Sequence, residues 1–222
     1  MSERIYTDRI YPLEWGNNRM YPSFPAVVAP MAVGGSEGEK YAVMMQHPLR
    51  RDDAHALHFI AKDYLSLSSR AQRDLEQSVS MYRDLHRHGY PVPERVSRFA
   101  YNDRGYLAMS DMREGGLYRL WGYNDPNTTT EMEELVAMNL SAENLEDAKG
   151  KILTIAKKAT QEGYAFEWFN YHIRKHTKTN AVDIVLLDVC ATSYKNGLST
   201  KNNENEVEGL IFFHELSKTI NT

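Results

Sequence analysis

"MYRDLHRHGYPVPERVSRFAYNDRGYLAMSDMREGG", residues 81–116, is the stretch whose reading decides the fold. Its first part closes a helix. Leu75, Val79, Tyr82 and Leu85 recur at helical period, and Gly89 with Pro91 and Pro93 stops the run. Its second part is a hairpin, two strand-like runs flanking "NDRG". "REGG" then leaves the second strand as a flexible exit. A helix handed to a hairpin predicts an α+β chain with an antiparallel sheet.

Upstream, "IYPLEWGNNRMYPSFPAVVAP" is rich in Tyr and Pro and reads as an extended arm or short strands over 1–29. "VVAPMAVGGSEGEKYAVMMQ" reads as strand, turn, strand, with Gly34, Gly35 and Gly38 at the bend. Lys40, Ala42 and Met44 share one face of the second strand. The period over 52–88 is read as helical throughout. One stripe comprises Leu57, Ile60, Ala61 and Tyr64, and "SLSS" separates it from the next. Downstream, 117–130 reads as a loop. A short helix follows near 131–138, then a longer one capped by Ser141 and stopped by Gly163. A polar tract after Asp188 leads to a last helix near 207–220. The expected division is an arm (1–29), a sheet-and-helix part (30–113) and a reduced helical part (114–222).

With 222 residues, 42% of them hydrophobic, the chain can build a sizeable core. A formal charge of −4 with scattered basic residues argues against nucleic acid and against acidic lipid as partners. The single Cys190 forms no internal disulfide, and no apolar run approaches bilayer length, so a cytoplasmic protein is expected.

The order of elements resembles the protein-kinase-like fold, including small-molecule kinases related to aminoglycoside phosphotransferases. Residues 81–116 are similar to the end of the regulatory helix, the G-x-P-V-P turn, the next hairpin and the hinge of that family. "YAVMMQ" sits where the family carries V-A-I-K. "ILTIAKKATQEGYAF" resembles the helix leading to the catalytic loop, and "DIVLLDVC" the strand ending in the metal-binding Asp of D-F-G. The resemblance spans roughly 30–190. It implies a two-lobed fold with a minimal second lobe, and ATP and magnesium as the cofactors of any retained activity.

It also implies roles to test residue by residue. Gly34, Gly35 and Gly38 would cover phosphates, although a plain hairpin turn explains them as well. The family's lysine falls on Met44 and its partner acid on Ser78, neither able to do that work. Lys40 is the substitute, with Glu76 to pair it, against ordinary solvated side chains. In H-x-D-x-x-x-x-N, one register puts Glu167 on the catalytic base and His172 on the magnesium-binding asparagine. The next register puts Trp168 on the base. Asp188 would hold magnesium, or else caps a turn.

Beside the resemblance, His55/His58 and His172/His176 have zinc-like spacing without further ligands, and Cys190 ends an apolar run where thiols are inert. Tyr164, Phe166, Trp168, Phe169 and Tyr171 read as packing, whereas Trp121 and Tyr123 read as an exposed contact surface. The leading expectation is a degenerate kinase-like protein that binds a partner protein, with transfer lost or impaired. One rival is an active phosphotransferase using Glu167, His172, Asp188 and Lys40. A third reading is a structural or assembly component.

Overall fold

The structure, a computed structural model, describes residues 7–12, 23–31, 40–46, 57–63, 69–102, 104–122, 129–189 and 204–220. It is α+β, and both of its sheets are antiparallel. It divides into two compact units, the first within 1–84 and 93–111 and the second within 85–92 and 112–222.

The first unit is a closed six-stranded barrel. Its strands are β1 (Asp8–Pro12), β2 (Phe24–Pro30), β3 (Lys40–Met45), β4 (Leu57–Asp63), β5 (Val96–Tyr101) and β6 (Arg104–Ser110), in the order β1-β2-β3-β4-β6-β5. Closure comes from β1, whose Tyr11 and Pro12 register with Ala100 and Phe99 of β5. Asp8 fastens that seam: its carboxylate accepts from the Tyr101 hydroxyl at 2.8 Å and from the Val28 amide at 3.0 Å. A closed sheet has no edge to protect, and a ring this small must be filled by side chains. Alternate residues do so, large against small: Ile10, Ala26, Val43, Ala61, Phe99, Tyr106 and Ala108. Phe99 stacks on Tyr106 at 5.3 Å between centroids, and Tyr41 meets Tyr106 edge-on at 5.6 Å.

Two expectations change here. Residues 57–63 form strand β4, pairing with β3 and β6, where a helix was expected. Leu57, Phe59 and Ala61 alternate, and in a short run a period of two competes with the helical one; pairing on both sides settles it as strand. Residues 8–12 and 24–30 are strands of the barrel, which decides between the arm and the short strands that the sequence left open.

Helix α1 (Ser69–Arg87) follows β4 and buries Leu75, Val79, Tyr82 and Leu85. Its end and the turn after it belong to the second unit. Tyr90 packs edge-on to Tyr164 and Phe166, with the Lys158 ammonium 4.5 Å from its ring centroid.

The second unit holds β7 (Tyr118–Gly122), α2 (Thr129–Met138), α3 (Ala142–Glu162), β8 (Tyr171–His176), β9 (Val182–Leu186) and α4 (Glu204–Ile220), with β7-β8-β9 as one sheet. The part of 117–130 expected to be loop therefore begins with a strand. Trp121 is buried against Phe212, so it offers no contact surface, and Tyr123 lies outside the described residues. The Ser141 hydroxyl accepts from the Asn144 amide at 3.2 Å, and Gly163, at φ +80°, ends α3. No helix among the described residues is long and apolar enough to cross a membrane.

Candidate functional site

Between α3 and β8 the chain makes one 3-10 turn, Trp168–Asn170; β8 and β9 then run back, and Asp188 follows. Asn170 is the pin of this arrangement. It is buried, and its side-chain oxygen accepts from the Glu167 amide at 2.9 Å. Its amide nitrogen donates to the carbonyls of Leu187 at 3.2 Å and Asp188 at 3.1 Å. The Asn170 carbonyl in turn accepts from the Leu187 amide at 2.9 Å. One side chain thus ties the turn to the end of β9.

Helix α4 clamps the same segment from its first turns. Asn205 accepts from the Phe166 amide at 2.9 Å and donates to the Tyr164 carbonyl at 2.9 Å and the Thr160 hydroxyl at 3.1 Å. Glu208 accepts from the Trp168 amide at 3.0 Å. The amides of Phe166, Glu167 and Trp168 are therefore satisfied inside the protein. Glu167 itself is exposed.

His172 is buried in β8 opposite Gly122 of β7. A Cβ at Gly122 would lie 2.1 Å from the imidazole Cδ2, so the ring occupies the space that only glycine leaves. Its Nδ1 lies 3.2 Å from the Asn170 carbonyl, to which it donates. His176 does not join it: the His176 Nδ1 accepts from the amides of Lys178 and Thr179 at 3.1 and 3.2 Å, shaping the β8–β9 turn. Asp188 is half-buried at φ +53°, a left-handed conformation that aspartate tolerates better than most residues. Among the described residues, no group of three or more His, Cys, Asp or Glu side chains is placed to hold a metal ion.

The remaining expected site residues lie in the barrel unit. Lys40 opens β3, and the side chains alternating with inward Val43 put Lys40, Ala42 and Met44 on the outer face. Glu76 does not serve Lys40. It is 2.9 Å from the buried guanidinium of Arg98 in β5, an ion pair joining α1 to the barrel. Gly34, Gly35, Gly38, His55 and Cys190 lie outside the described residues. The structure thus gathers His172, Asn170 and the backbone of Glu167 and Asp188 around one turn, and holds Lys40 in the other unit.

Asn170, Asn205, Glu208 and Arg98 are missing from the sequence reading. An asparagine directly before the run "YHIRKH" was a usable signal for the first; the other three act on partners 22 or more residues away in the chain.

No family model matches the chain, and no curated protein does. Among solved structures, the crystal structure of a Helicobacter pylori proinflammatory kinase, CtkA, aligns with a TM-score of 0.38 and 9% identity. The alignment covers 68% of this chain and 55% of that one, so the chain spans about half the length of that kinase.

Proposed function

We propose that the chain is a degenerate kinase-like protein that works by binding a partner protein, with phosphoryl transfer lost or badly impaired. The turn at 164–170 carries this reading. In the family pattern H-x-D-x-x-x-x-N, an aspartate takes the substrate proton and the asparagine ahead of the next strand holds magnesium. Asn170 is the residue that leads directly into β8. The aspartate's place, five residues earlier, then falls on Ala165, a methyl group that accepts no proton.

The other devices are kept only in part. The family's lysine stands on the strand ahead of the regulatory helix. By chain order that strand is β4, which carries Lys62, with β3 and its Met44 ahead of it, so the sequence offers a lysine near this place. Glu76 of α1, the acid that would orient such a lysine, lies 2.9 Å from the Arg98 guanidinium. Asn170 already spends its side-chain oxygen and nitrogen within the turn, and His172 gives its Nδ1 to a carbonyl. Asn170's oxygen already accepts one hydrogen bond inside the fold and His172 is a nitrogen donor, so the oxygen-rich ligand set that magnesium prefers beside Asp188 is weakened. Without positioning and charge stabilisation, little of a kinase's rate enhancement remains.

Titration with magnesium and ATP while unfolding is followed tests the reading. A bound ligand at a hundredfold its dissociation constant adds about 2.7 kcal/mol. Little or no shift is expected. A clear shift that disappears in Asp188→Ala, together with phosphate delivered to any acceptor, would overturn it.

A second reading, an ATP- and magnesium-dependent phosphotransferase with rearranged groups, draws on Asp188 alone. A non-glycine residue held at φ +53° just past a buried strand is the kind of local strain that sites retain.

A further inference from the structure

The described residues expose few large apolar side chains, and three of them share one face of α4. Val207, Leu210 and Ile211 are 52%, 42% and 38% exposed, at the i, i+3, i+4 spacing of one helical stripe that continues through exposed His214 and Lys218. Single exposed hydrophobes are ordinary; a stripe of them on a helix whose opposite face is already packed is not. That opposite face is occupied by Asn205, Gly209, Phe212 and Leu216, all buried. Helix α3 packs most closely on α4; its other two neighbours, helix α2 and the turn 168–170, add exposed Val136 and Phe169.

The charge around the stripe is one-sided. Glu204, Glu206, Glu208 and Glu215 lie on α4 against Lys218; Glu208 already accepts from the Trp168 amide, and Lys218 sits 3.9 Å from Glu215. On the neighbouring helix α3, Lys149 lies over the Phe213 ring at 5.4 Å. We propose that this face of α4 docks a basic amphipathic helix of a partner protein, its apolar residues on Val207, Leu210 and Ile211 and its lysines or arginines on the glutamates. The inference rests on the partner-binding reading above and gives that reading a surface.

Charge selects this occupant over the others. A second copy meeting α4 in antiparallel fashion, with the two stripes in register, pairs Leu210 with Ile211 and Val207 with His214. The same register sets Glu215 between Glu204 and Glu208 of the other copy, which share its flank of the stripe, a like-charge contact. An anionic membrane or a nucleic acid would meet the same acids. A basic helix satisfies both the stripe and its rim, in the helix-in-groove manner of peptide recognition.

The probe is a fluorescein-labelled leucine/lysine peptide with leucines at i, i+3, i+4 and i+7, followed by anisotropy against the full chain. A leucine/glutamate peptide of the same pattern is the comparator. Saturable binding of the first and none of the second is expected, weakening as salt rises. Leu210→Ser with Ile211→Ser is expected to weaken it about tenfold or more, and Glu206→Lys to weaken it as well. These side chains are exposed, so thermal unfolding of the variants should match the parent. No saturable binding, equal binding by the double variant, or equal binding of the acidic peptide would overturn the assignment. So would self-association in sedimentation that the double variant abolishes, which identifies a second copy as the occupant. Failure here with no ATP response leaves the loss of transfer intact and removes only this surface.

Discussion

Replacing Asn170 by alanine tests whether the turn at 164–170 is a structural joint. Three hydrogen bonds depend on that side chain: one accepted from the Glu167 amide and two donated to the carbonyls of Leu187 and Asp188. Each contributes about 1 kcal/mol net. The site is 2% exposed, so water does not readily take the place of the lost amide. The expected loss is therefore about 2–4 kcal/mol. For a chain of this length about 3 kcal/mol corresponds to a fall of roughly 6–12 °C in melting temperature. Urea unfolding followed by tryptophan fluorescence is the natural assay, because Trp168 lies within the turn itself. Asn170→Asp is the informative companion. It keeps the oxygen facing Glu167 but turns an oxygen toward two carbonyls, and it should be less stable than the alanine variant at neutral pH. An Asn170→Ala protein within about 0.5 kcal/mol of the parent would refute the joint and return Asn170 to the pool of candidate ligands.

Other consequences follow from individual contacts. Breaking the Arg98–Glu76 pair by Arg98→Ala should cost about 2–4 kcal/mol, while replacing both residues with apolar ones of similar volume should recover most of it in chemical denaturation. Gly122→Ala drives a methyl group into the His172 ring and should cost about 1–3 kcal/mol; His172→Ala in the same chain should relieve part of that, a coupling a double-mutant cycle reads directly. Burial raises the phenol of Tyr171 far above its usual range, and burial followed by the nearby Glu162 carboxylate does the same for Tyr90. Both remain protonated in the fold at pH values where the unfolded chain ionises. Their contribution is complete below about pH 10 and falls above it by about 1.4 kcal/mol per pH unit for each. Tyr171→Phe should flatten that alkaline decline in a pH series of urea midpoints.

Where a local signal existed, the chain was legible. Ser141 and Gly163 bracket α3 as their cap chemistry requires, and the two strands expected on either side of "NDRG" pair as the β5–β6 hairpin. The apolar run ahead of Asp188 is a buried strand. Residues 57–63 were not legible, because seven residues satisfy a helical and a strand period at once and neighbours on both sides decide between them. Barrel closure was equally hidden: β1 pairs with β5 nearly ninety residues later, and nothing in "DRIYP" names that partner. In the candidate site, Glu167 and His172 attracted attention by spacing alone. The residue between them that organises the turn, Asn170, works through backbone groups of a strand end that the local sequence does not mark. Glu76 looked free for Lys40 because Arg98 lies on another strand.

The central claim, that the turn keeps the position of a catalytic loop without its base, is tested most directly by phosphoryl transfer itself. The full chain is incubated with magnesium and γ-labelled ATP, and label is sought on the chain, on a generic protein acceptor and on a small hydroxyl acceptor. The account predicts no transfer above a protein-free control, and none lost on Glu167→Gln because none exists. Transfer by the unaltered chain that Glu167→Gln abolishes would contradict it, because it would place the base on the exposed glutamate rather than leave the base position to Ala165.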